Sequence, residues 1–223
     1  PTFRAQFGPR GVMKCVATTV DTPGDDPRFG PWGKQKCEDT GPLTKKRMET
    51  VDEEFLAAAL DFIDRQHKAG KPFFCYFNST RMHCFTHVKE DRRSPPGLTA
   101  RTEYADGMVE HDGHVGKILK AVDDLGIADN TIVLYTTDNG PHMNSWPDGA
   151  MTPFRNEKNS NWEGAFRTPC IIRWPGKVPA GGWSGEFMTA EDWVPTLMAA
   201  VGDGDVKERL QKGTRIGERD YKV

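Results

Sequence analysis

The chain has 223 residues, and its 30 Lys and Arg against 32 Asp and Glu leave a net charge of −2, so no basic surplus favours a phosphate backbone and nucleic acid is a poor partner. Hydrophobic residues make up 36%, enough with glycine for a packed core, while no purely apolar run approaches the roughly 18 residues of a membrane helix, and the run from Phe73 to Phe77 is strand-sized. Five cysteines, at 15, 37, 75, 84 and 170, include no Cys-x-x-Cys pair, which excludes a zinc knuckle, and an odd count is not a closed disulfide framework.

Residues 1–42 are dense in Gly and Pro after residue 20 and carry no sustained period, which predicts loop with at most one short element near 11–16. From Leu43 the apolar positions Val51, Phe55, Ala59, Phe62 and Ile63 fall at helical spacing. Thr50 and Glu53 offer a capping box, and Gly70 and Pro72 close the element, so one helix is expected over 44–69. The compact apolar run 72–78 predicts a strand buried on both faces. A second helix follows from Tyr104, Met108, His111, Val115, Ile118, Leu119 and Val122, with Gly126 as its stop. Strands are expected at 131–137, which is β-branched and bounded by turn residues, and at 168–174, followed by a short helix over 192–200 that contains Pro195. Strands alternating with helices describe a layered α/β domain.

In such sheets ligands bind beyond the carboxyl ends of the strands. After the first strand come Arg81, His83 and His87, a cation and two imidazoles. After the second come Asp138, Asn139 and Gly140, where a carboxylate beside a carboxamide supplies two oxygen ligands for a hard divalent cation. Lys158 precedes the third strand. Each has a plainer reading: Asp-Asn-Gly is a common turn, His67, His111 and His114 sit on helices as structural residues, the Lys158 stem suits a cover for Trp162, and Arg167 suits an ion pair with Glu163 four residues earlier.

Together these segments resemble the sulfatase family of the alkaline phosphatase superfamily. The residues that carry the likeness are TIVLYTTDNG at 131–140, KNSNWEGAFRTP at 158–169 and IIRWPG at 171–176, flanked in the same order by PFFCYF at 72–77 with His83 and by DGHVGKIL at 112–119. The resemblance spans about Leu43 to Ala200 and implies a three-layer α/β/α core with a mixed, mostly parallel sheet, here incomplete. In it, 1–42 would be a loop-rich segment and 43–223 the central and C-terminal part of one catalytic domain.

The resemblance further implies hydrolysis of sulfate monoesters, with Asp138 and Asn139 as two ligands of Ca²⁺ (Mg²⁺ being possible), His83 as proton donor to the leaving oxygen, and Lys158 on a sulfate oxygen. Arg81 and His87 are weaker candidates for the substrate side, from proximity alone. None of the five cysteines begins a Cys-x-Pro/Ala-x-Arg motif, so the formylglycine nucleophile is expected upstream of an internal fragment that would itself be inactive. Expected partners are a small-molecule or carbohydrate sulfate ester, with specificity set by loops 79–100 and 141–160, no nucleic acid and no membrane span; family habit implies a periplasmic or secreted protein. The alternatives are a phosphodiesterase or phosphonate hydrolase of the same superfamily, and a non-catalytic binding protein.

Overall fold

A computed structural model describes residues 11–26, 30–94, 102–149, 151–216 and 219–221; the 95–100 part of the first loop proposed for specificity, and position 150 of the second, lie outside them. The chain divides into two compact units, Pro1–Val178 and Pro179–Val223.

In the first unit the strands β1 (Gly11–Ala17) and β4 (Gln35–Pro42) pair antiparallel, and between them β2 (Asp25–Asp26) pairs with β3 (Gly30–Pro31). The expectation of loop over 1–42 is therefore corrected for 35–42. That strand buries only Cys37, so it has no apolar alternation to read, and backbone pairing to β1 holds it in place.

The helix expected over 44–69 forms as two pieces, α1 (Lys45–Met48) and α2 (Val51–Lys68). Thr44 caps α1 by accepting from the Arg47 amide at 3.2 Å. The capping box at Thr50 does not form: its hydroxyl instead donates to the Arg47 carbonyl at 3.3 Å, which turns the chain between the two helices. Gly70, at φ 61°, ends α2 as expected. The second long helix, α3 (Glu103–Asp124), is capped by the Thr102 hydroxyl.

Val51, Leu56 and Ile63 of α2, Val122 of α3 and Val88 between them are each at most 4% exposed. At roughly 1.5–3 kcal/mol for each such side chain, these positions are a main source of the first unit's apolar stabilisation. Next, β5 (Val133–Thr136) pairs antiparallel with β6 (Cys170–Arg173), as a mixed sheet permits. Tyr135 of β5 lies 3.2 Å from His111 of α3, and Arg173 of β6 pairs with Asp123 at 3.3 Å, so the helical layer rests against this sheet.

The apolar run 72–78 differs from its expectation. It is extended, with Phe73, Cys75 and Phe77 half-buried and Phe74 and Tyr76 exposed at 73% and 79%. Phe73 meets Phe62 of α2 edge-on at 6.1 Å. Residues 73–78 form no backbone hydrogen bond among the described residues, so the run has the alternation of a strand on a one-sided layer and lacks the ladder that would bury it on both faces.

The short helix α4 (Glu163–Phe166) precedes β6 in the first unit; in the second unit α5 (Ala190–Ala200) begins with a capping box between Thr189 and Asp192, and α6 (Val206–Lys212) buries Val206. Thr214–Ile216 (β7) and Arg219–Tyr221 (β8) close it as an antiparallel pair.

Candidate functional site

Three chain segments meet beyond the end of β5. The Gly140 amide donates to the Ala165 carbonyl of α4 at 2.8 Å, the Lys158 amide to the Pro141 carbonyl at 2.9 Å, and the Gly164 amide to the Arg155 carbonyl at 2.9 Å. These crossings need two glycines. A Cβ at 140 would collide with the Gly164 carbonyl, and one at 164 with the Asn156 carbonyl. Asn156 and Asn159 take the left-handed conformation, both at φ 68°, which asparagine tolerates better than most residues. Around them the Arg155 guanidinium lies 3.8 Å from the Trp162 ring centroid. Thus Arg155 covers one face of Trp162.

These crossings enclose an open cleft of about 440 Å³ lined by Asp138, Asn139, Lys158, Asn159, Ser160, Asn161, Ala165 and Phe166. Neither the Asp138 carboxylate nor the Lys158 ammonium makes a hydrogen bond or ion pair among the described residues. The Asn139 side-chain amide donates to the Gly140 carbonyl at 2.9 Å, which commits its nitrogen and leaves its oxygen to accept. An unpaired carboxylate next to a free carboxamide oxygen suits a hard cation, and the ammonium on the same cleft suits an anion. Arg167 forms the expected pair with Glu163, at 3.2 Å.

His83 does not line that cleft. Its exposed ring has the Cys84 thiol 3.4 Å from Nδ1 and the Phe85 ring 6.2 Å away. The segment 79–94 that carries it is gripped by five carboxylates of the two long helices. Asp52 accepts from the Thr80 amide at 2.7 Å and hydroxyl at 2.8 Å, Glu53 pairs with Lys89 at 2.6 Å, and Glu110 with Arg81 at 2.6 Å. Glu103 accepts from the Val88 amide at 3.2 Å, and Asp106 from the Ser94 hydroxyl at 2.6 Å.

The two weaker substrate-side candidates sit differently from each other. The Arg81 side chain is 1% exposed and lies 3.4 Å from Asp52 as well as against Glu110, so its charge is spent inside the protein. His87 is partly exposed, with Nδ1 3.4 Å from Glu103.

The residues missed in the sequence are these carboxylates. Glu103, Asp106, Glu110 and His114 recur at spacings of three, four and four, one polar stripe on α3, and that stripe is the signal that could have found them. Glu53, Glu110 and His114 bring possible ligand atoms within 4.8 Å of one another. Lys89 and Arg81 already balance the two carboxylates, and burial, above all, lowers the pKa of His114 from its ordinary value, as it does for His111.

Comparison with known proteins adds the family. Residues 15–203 match the family model "Sulfatase". The chain is 37% identical over 161 residues to the N-acetylgalactosamine-6-sulfatase of Canis lupus familiaris, covering 71% of this chain and 30% of that protein. It is 35% identical over 154 residues to arylsulfatase A of Bos taurus, covering 68% and 29%. The chain thus spans about a third of the length of such relatives. Among solved structures, the PsFucS1 sulfatase from Pseudoalteromonas sp. superposes with a TM-score of 0.70 at 28% identity, over 78% of this chain and 34% of that one. Ps i-CgsB in complex with k-i-k-neocarrahexaose does so with 0.62 at 28% identity, over 75% and 37%.

Proposed function

The chain belongs to the sulfatase family, and on that premise we propose that the cleft beyond β5 binds the sulfate group of a sulfate monoester and that the protein hydrolyses it. The observation that carries this reading is the unpaired trio on one cleft: Asp138, the Asn139 oxygen and Lys158. Asp138 and Asn139 would hold a divalent cation, Ca²⁺ in preference to Mg²⁺, which when bound supplies positive charge against the sulfate oxygens. A formylglycine elsewhere in the protein would supply the nucleophile.

The remaining work falls to side chains of this chain. The Lys158 ammonium holds a non-bridging sulfate oxygen and offsets the charge that builds there as the ester bond breaks. His83 gives a proton to the leaving oxygen, and the clamp on 79–94 restricts where its ring can be. Asn159, Ser160 and Asn161 make the cleft wall polar, while Phe166 offers an exposed aromatic edge. A polar wall with one aromatic face suits a sugar better than a sterol. A sulfated carbohydrate is accordingly the proposed substrate, in keeping with the name of the canine relative and with the neocarrahexaose bound by Ps i-CgsB.

The test is to assay the full-length protein with Ca²⁺ on sulfated oligosaccharides, an aryl sulfate and a phosphate diester. Release of sulfate that is lost in Asp138→Ala supports the reading. Faster cleavage of the phosphate diester would transfer it to the phosphodiesterase branch of the superfamily, and the absence of any turnover would favour a binding protein.

A further inference from the structure

Outside the cleft, a close pair of thiols stands that the proposed chemistry does not use. Cys15 of β1 and Cys37 of β4 stand directly opposite each other in the antiparallel ladder. Residues so placed have Cα atoms about 4.5–5.5 Å apart, within the window that a disulfide spans. Their sulfurs are 2.9 Å apart, about 0.9 Å more than a disulfide bond. All five cysteines are free thiols in the structure, and only Cys15 and Cys37 among them stand within reach of each other.

We propose that Cys15 and Cys37 form a disulfide that staples the β1–β4 hairpin. Cys15 is exposed and Cys37 is buried, which sets the order of the exchange. The Cys15 thiolate attacks one sulfur of a low-molecular-weight disulfide such as glutathione disulfide, and one glutathione thiolate leaves. The Cys37 thiol then loses its proton and attacks the Cys15 sulfur of the mixed disulfide, and the second glutathione thiolate leaves. Two S–H bonds are lost and one S–S bond is gained; the oxidant takes both electrons and its two thiolates take up the two protons. The hydrogen bond with Cys15 pushes the Cys37 thiol up to about 11, which makes it the slower nucleophile and fits its place as the second.

The staple acts on a part of the fold with little else to hold it. Strand β4 buries no side chain besides Cys37, and a ladder with no apolar face is poorly specified in register. A covalent link between opposed residues fixes that register and closes the stretch 18–34. In a cytosol kept reducing by glutathione and thioredoxin the link stays open, and in an oxidising compartment it closes. Its state therefore reports where the protein resides.

The experiment equilibrates the full-length protein with glutathione disulfide, quenches with acid, blocks free thiols with iodoacetamide under denaturing conditions, and analyses tryptic peptides by mass spectrometry. Each cysteine directly follows a lysine, Lys14 and Lys36, so trypsin yields peptides 15–28 and 37–45. The expected result is these two joined, lighter by two hydrogens than their reduced sum and separated by dithiothreitol, with Cys75, Cys84 and Cys170 alkylated. Alkylation of both Cys15 and Cys37 after the oxidising step overturns the proposal, as does a link from either of them to another cysteine.

Discussion

The segment 79–94 and the cleft beyond β5 handle charge in opposite ways. In the first, five carboxylates from two helices are each met by a partner, and Asp52 and Arg81 are sealed from solvent. In the second, Asp138 and Lys158 line an open cleft without one among the described residues. Taking a charge out of water costs several kcal/mol unless it is paired, so the buried Asp52 and Arg81 each keep an opposite charge beside them. An exposed carboxylate carries no such penalty and is free to meet a ligand. The difference separates residues that shape the molecule from residues that serve its substrate, and each kind fails differently when mutated.

The sharpest way to break the contrast is a pair of substitutions at chemically identical residues. Asp138→Ala in the full-length protein is expected to lower kcat/KM for the sulfate ester by about 10³-fold or more and to abolish calcium binding by titration calorimetry. The urea unfolding free energy should stay within about 0.5 kcal/mol. Asp52→Ala should do the reverse, lowering stability by about 3–5 kcal/mol because Arg81 and Thr80 are left buried without their acceptor. A stable Asp52→Ala protein, or an unfolded Asp138→Ala one, would erase the distinction.

Gly164→Ala tests how the cleft is built. The added methyl meets the Asn156 and Arg155 carbonyls, so the expected cost is about 1–3 kcal/mol, together with loss of activity as the Lys158 loop is displaced. Activity retained at full stability would mean that the crossing is loose.

A smaller effect comes from pH. Burial lowers the pKa of His114 and of His111 from the ordinary 6.5. For a base held below its unfolded value, the unfolded chain binds the proton more readily. The contribution to stability is therefore complete above about pH 6.5, declines as pH falls below it, and levels off below the folded value. Urea midpoints between pH 8 and 5 should show this slope, and His114→Gln should reduce it; an unchanged slope would place the ring elsewhere. Smallest of all is Arg167→Ala, which removes an exposed pair one helical turn long and should cost no more than about 0.5 kcal/mol in the same assay.

The sequence made one region far more legible than the other. Helices α2 and α3 follow from periodicity because each buries one stripe, and strands β5 and β6 from short β-branched or apolar runs bounded by turn residues. The Asp138–Asn139 turn was visible because its chemistry lies in adjacent residues. That Lys158 shares a cleft with them was not readable from spacing, since two backbone crossings through Gly140 and Gly164 set that proximity; it came from family resemblance. The clamp stayed hidden for another reason. The acidic stripe on α3 looks like any solvated helix face until the chain from Thr80 to Ser94 is laid across it. Strand β4 was invisible because its pairing uses backbone groups that every residue has.

The extended run 73–78 has a practical meaning for anyone handling this chain. Its backbone donors and acceptors find no backbone partner among the described residues, and Phe74 and Tyr76 stand beside them in solvent. Such a segment is a template on which another chain can add a strand, so the isolated polypeptide is expected to self-associate in solution, and to do so less once a neighbouring strand occupies that row. Masking 73–78, more than tuning any catalytic residue, is the route to a well-behaved sample.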